Sequence, residues 1–188
     1  MRAILATLLL LLTSCAVPRP GVLTACWPGG VADYGCRYGT PIIWHPDALP
    51  LRYSVALEPQ QEHLSAAIHY AAVTWNSLVG REVLVHDEAR ATVVWRSGAV
   101  TPDGTAALVL HHGSQRGPSG AVVELRAAFG GFESVAVSIH EFGHVLGLTH
   151  YTHGVMATRT VNFDADPPPW GAMLPADAQV EILQRLYR

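Results

Sequence analysis

Hydrophobic residues recur along the chain with two periods, and the switches between them mark out the elements. Residues 51–57 alternate apolar and polar side chains, the two-residue repeat of a strand with one buried face. Residues 59–79 change to helical spacing. Leu64, Ile68, Ala71/Ala72, Trp75 and Leu78 fall three or four apart, and Gly80 follows as a stop. Short β-rich runs come next, at 83–86, 91–95, 106–111 and 121–125. Turn residues introduce the last two, Pro102-Asp103-Gly104 and Gly117-Pro118-Ser119-Gly120. After Gly130-Gly131 a helix is predicted over 133–146, with Val135, Ile139, Phe142 and Leu146 as its apolar stripe. Residues 151–174 have no period and carry Pro167, Pro168 and Pro169 in a row. Pro175 opens a last helix over 176–187, buried along Val180, Leu183 and Leu186/Tyr187. There are no internal repeats. This order predicts an α+β fold, with a twisted sheet of about five strands, two long helices and a small C-terminal subdomain with one helix.

The N-terminus does not fit that pattern. Met1-Arg2 is followed by an apolar run over 3–12 and then Thr13-Ser14-Cys15. A basic start, a short apolar stretch and small residues are the parts of an export signal. The run is too short to span a bilayer, which takes roughly 20 residues. Leu12-Thr13-Ser14-Cys15 resembles the lipobox of bacterial lipoproteins. The resemblance implies cleavage before Cys15, lipidation of that thiol, and an exported protein anchored at the outer membrane or cell surface. The alternative is an ordinary signal peptide cut near Ala16, giving a secreted protein. The expected division is a signal peptide over 1–14, a Gly- and Pro-rich tether and loop over 15–48, and the main domain over 49–188. Cys26 and Cys36 remain, and in an oxidising compartment they are expected to form a disulfide. The other use of such a thiol, as a latency ligand, lacks any matching motif around either cysteine.

Composition narrows the function classes. With 188 residues, 49% apolar and 14% charged, the chain is globular and long enough to bury its own core. The formal charge is −3 and no basic cluster occurs, so nucleic acid is not an expected partner. The expected state is a monomer.

The informative segment is His140-Glu141-Phe142-Gly143-His144-Val145-Leu146-Gly147-Leu148-Thr149-His150. His140 and His144 stand one turn apart on one helix face, so both imidazoles can reach one ion. Gly147 can adopt a left-handed conformation, end the helix and bring His150 back as a third ligand. Three protein ligands with a fourth position left for water is the catalytic arrangement of Zn²⁺. Glu141 is rotated about 100° from His140 around the helix, so it can stand over the water without ligating the ion. With histidine at 10 of 188 residues, the five-residue core arises by chance in about 2% of such chains. Adding the Gly and the third His lowers this to roughly 1 in 10,000, which favours a site over coincidence.

This segment resembles the metzincin zinc peptidases, whose pattern HExxHxxGxxH it carries at every fixed position. Val155-Met156-Ala157 resembles their Met-turn, which implies that Met156 lies beneath the metal. Ala71-Ala72-Val73-Thr74-Trp75-Asn76 and the closing helix are similar to the matrixin branch, although Tyr151 stands where matrixins have Ser. The resemblance implies a metalloendopeptidase domain over 49–188 with one catalytic Zn²⁺. In it a metal-activated water hydrolyses a peptide bond, with Glu141 as general base and acid. It also implies a peptide or protein substrate laid along an edge strand at Ala106, Ala107 and Leu108, with a pocket wall near Val161 to Phe163. His111-His112 reads as an exposed strand end, not a second metal site, and His153 as a cleft residue. The rival readings are an inactive zinc-containing surface binding protein and a hydrolase of peptidoglycan cross-links.

Overall fold

A computed structural model describes residues 43–99, 107–114, 117–126, 131–151, 154–157 and 173–187. Cys15, Cys26, Cys36, Ala106, His153 and the expected pocket wall at 161–163 lie outside the described residues.

Five strands form one sheet: β1 (Leu51–Ala56), β2 (Leu84–His86), β3 (Val93–Ser97), β4 (Ala107–Ser114) and β5 (Gly117–Leu125). Their order is β2-β1-β3-β5-β4. The first four are parallel neighbours, and β4 pairs antiparallel with β5 at the edge. The helices are α1 (Ser65–Val79), α2 (Gly131–Val145) and α3 (Asp177–Leu186).

Register explains why one sheet face is dry and the other wet. Tyr53, Val93 and Ala121 align, as do Val55, Trp95 and Val123. Tyr53, Val93, Trp95, Ala121 and Val123 are buried, and α1 and α2 cover them. Phe142 of α2 meets Trp95 and Tyr53 edge-on, with ring centroids 4.8 and 5.3 Å apart. Charges on the strands, at Arg52, Arg96 and Glu124, stand at the alternate positions. Arg96 and Arg126 both pair with Glu124, and Arg52 and Arg90 both pair with Asp87. Alternation of this kind belongs to a sheet covered on one side.

Several expectations are corrected. The segment 59–79 is not one α-helix. Pro59–Leu64 winds as a 3₁₀ helix before α1 begins. It buries Gln61 and Leu64, three apart, and the 3₁₀ turn puts such residues on one edge. Gly117, Pro118, Ser119 and Gly120 are part of β5, not a separating turn. Pro118 is tolerated because it lies beyond the stretch that pairs with β3, next to a register shift at His112/Gly113. The buried stripe of α3 is Gln179, Ile182, Leu183 and Tyr187; Val180 is only partly covered.

The C-terminal part shares the main core. Ile182, Leu183 and Tyr187 sit in the same apolar cluster as the sheet. Ile43 and Trp44 precede the expected domain start at residue 49, yet both are core residues.

Candidate metal centre

Helix α2 positions the site because it is held from several sides. Ala136, Val137, Ile139, Phe142 and Val145 are all buried, a broader covering than a single stripe. The Trp75 indole N–H donates to the Ile139 carbonyl at 2.9 Å. At the other end, two orphan carbonyls find side-chain donors. Trp44 Nε1 donates to the Val145 carbonyl at 2.6 Å, and the Tyr187 hydroxyl donates to the Leu146 carbonyl at 2.8 Å.

The helix then stops as its sequence dictates. Gly147 has φ 98°. Its N–H donates to the His144 carbonyl, and the Leu148 N–H donates back to Gly143, both at 2.9 Å. This is a Schellman cap, and it reverses the chain toward His150.

The reversal brings His140, His144 and His150 together, with one ligand nitrogen from each lying within 4.8 Å of the others. His144 Nε2 is 2.9 Å from His140 Nε2 and 3.3 Å from His150 Nε2. The outer nitrogens decide what these short distances mean. His140 Nδ1 faces the Val155 carbonyl at 2.6 Å and His144 Nδ1 faces the Leu148 carbonyl at 2.8 Å. A carbonyl only accepts, so each Nδ1 must carry the proton. Each Nε2 is then bare, and two bare nitrogens at 2.9 Å repel unless a cation lies between them. Tetrahedral Zn²⁺ with Zn–N near 2.0–2.1 Å sets its nitrogens about 3.3 Å apart. The donor set and its spacing therefore fit one such ion.

Electrostatics keep the donors in the ligating form. Burial lowers His140 to about 4 and His144 to about 3, and it also lowers His150. Neutral imidazoles are what a metal requires. Glu141 is buried and lies outside the ligand group. Burial pushes its carboxyl up to about 8, and a cation on the three histidines would pull it down again.

The turn at 154–157 lies against α2 at Gly143. Tyr151 N–H donates to the Met156 carbonyl at 2.7 Å, and Tyr151 bridges Ala157. Met156 is fully buried, with its sulfur against Gly143. A Cβ at position 143 would meet the Met156 Sδ at 2.4 Å and Trp75 Cζ2 at 3.2 Å. Glycine here leaves room for the methionine sulfur on the helix between His140 and His144. Gly143 stands at a variable position of the motif, so spacing alone gave no reason to single it out. Nor did spacing point to the Val155 carbonyl, Trp44 or Tyr187.

Ala107 and Leu108 lie on β4, the edge strand, which pairs on one side only among the described residues. His112 is exposed as expected, but His111 is not a free strand end. Its ring lies 6.2 Å from Trp44, its Nε2 sits 3.4 Å from the Val145 carbonyl, and burial lowers its pKa. The antiparallel register turns it toward the end of α2.

Comparison of the chain with protein-family models and with curated proteins finds no match.

Proposed function

We propose that this protein is a zinc-dependent endopeptidase of the metzincin type, matrixin-like, exported and held at a membrane through Cys15. The observation that carries the reading is the meeting of His140, His144 and His150 nitrogens, two of them left bare because backbone carbonyls hold the ring proton on Nδ1, beside a buried glutamate.

His140, His144 and His150 would hold the ion. When bound, zinc acts as a Lewis acid and brings the pKa of water to about 7. Glu141 takes a proton from the attacking water and passes it to the leaving amine nitrogen. Its burial excludes competing solvent, and a cation held by the three histidines would return the carboxyl to the ionised form that accepts a proton. The Val155 and Leu148 carbonyls keep both rings in one tautomer, which raises ligand basicity. Strand β4, which pairs on one side only among the described residues, offers Ala107 and Leu108 as an edge along which an extended peptide can pair.

Cleavage of a mixed peptide library by the zinc-loaded protein tests the reading. Glu141→Gln should lower kcat by about 10²–10⁴ while keeping its zinc. A folded, zinc-loaded wild type that cleaves nothing would turn the assignment toward a binding protein. Near wild-type turnover by Glu141→Gln would remove the mechanism.

A further inference from the structure

A second cluster of histidine, tyrosine and glutamate side chains lies on the other side of Phe142. Phe142 projects from the face of α2 opposite His140 and His144, since two residues turn a helix by about 200°. Beyond it, Tyr53 of β1, His69 of α1, His86 of β2 and Glu88 come together from separate parts of the chain. The Tyr53 ring lies 5.3 Å from Phe142, 5.7 Å from His69 and 5.3 Å from His86.

The two imidazoles repeat the arrangement of the primary ligands. His69 and His86 have ring centroids 4.6 Å apart at 73°, against 4.6 Å at 83° for His140 and His144. The Tyr53 hydroxyl holds His69 Nδ1 at 2.8 Å, and Tyr53 is itself fixed in the core. A phenol oxygen can accept as well as donate, so it can accept a hydrogen bond from Nδ1–H and leave Nε2 bare. The outer partner of a ligating histidine has this role. His86 Nε2 lies 2.7 Å from Glu88 Oε1, and that oxygen also accepts from the Val55 N–H at 3.4 Å. Burial, and then the neighbouring His86, lower His69 against an opposing pull from Glu88, which favours the neutral ring that a metal requires.

We propose that His69, His86 and Glu88 form a second site for a divalent first-row transition ion, with Tyr53 as the residue that positions His69. Two imidazoles and a carboxylate suit zinc and its neighbours in that row, not calcium or magnesium. The ion takes the place of the proton between His86 and Glu88. Among the described residues, the three-histidine group alone has its donors already within 4.8 Å of one another. The second site therefore needs the exposed Glu88 side chain to turn toward His69, and it binds more weakly than the first. The inference is independent of peptidase activity.

Equilibrium dialysis of the full-length protein against Zn²⁺, with metal analysis, tests it. Wild type should bind two ions per chain in two affinity classes. His144→Ala should lose the tight class and keep the weak one. His86→Gln should do the reverse. Tyr53→Phe keeps the ring in the core and should weaken the second class by about 10–100-fold without altering the first. Glu88→Gln changes an exposed side chain and should weaken the second class by about tenfold. It therefore serves even if a histidine variant folds poorly. Saturation of wild type at one ion would overturn the site. So would a second class unchanged in both His86→Gln and Glu88→Gln.

Discussion

Gly143 illustrates how one hydrogen in place of a side chain can shape a site. Replacing a helical glycine by alanine ordinarily stabilises a helix by about 1 kcal/mol. Here the added methyl would strike the Met156 sulfur at 2.4 Å, with Trp75 closing the other side. Met156 is flexible but fully buried, so its escape requires neighbours to move. Overpacking of this kind costs about 1–3 kcal/mol, which exceeds the gain in propensity. Gly143→Ala is therefore expected to lower the denaturation midpoint and to weaken zinc binding, because Met156 and the Val155 carbonyl that orients His140 belong to one turn. A more stable variant with unchanged zinc affinity would show that the methionine is not tightly seated.

At the level of elements, the placement of α2 depends on parts of the chain far from it in sequence. Its final carbonyls are capped by Trp44, from the start of the described chain, and by Tyr187, from its end. Tyr187→Phe keeps the ring but leaves the Leu146 carbonyl without its donor in a buried place. The expected cost is about 1–3 kcal/mol in a denaturant titration. His150 lies only four residues beyond Leu146, so the variant should also bind zinc less tightly. No change in either measurement would mean that solvent reaches this carbonyl. The strands show how far pattern alone carries. Residues 51–57 alternate, and β1 forms there, because its wet and dry faces differ. Residues 117–120 read as a turn from Gly and Pro, but they extend β5. Composition reports local preference, whereas pairing with β4 is decided across the sheet.

Over the whole molecule, the wet sheet face makes stability depend on acid. Burial raises the Asp87 pKa, but hydrogen bonds from Arg52 and Arg90 together outweigh it and hold the carboxyl below its usual 3.8. The hydrogen bond from Arg96, joined by Arg126, holds Glu124 below 4.5 in the same way. A carboxylate with a lowered folded-state pKa adds stability above its unfolded pKa. That contribution is lost as pH falls through the folded value. Asp87→Asn should therefore melt below wild type at pH 7, with the gap closing as pH drops below about 3.8. Comparing the two proteins by Tm against pH isolates this one group. A gap that stays constant through the acid range would assign the loss to packing.

What the sequence determined by itself is what lies within one short run of backbone. The four-residue spacing of His140 and His144, the rotation of Glu141 away from them and the left-handed Gly147 follow from helix geometry, and the structure shows the three histidines together. The five strands and two long helices were likewise legible, because each has one face that must be buried. Tertiary structure decided the rest. His140 carries its proton on Nδ1 because the Val155 carbonyl faces it, and Met156 finds Gly143 because the turn at 154–157 lies against the helix. Trp44 and Tyr187 cap α2 because the core gathers both ends of the described chain. The His69–His86 pair exists because α1 crosses over between parallel β1 and β2. These are contacts between distant residues, chosen by how apolar faces pack, and no local period in the sequence encodes them.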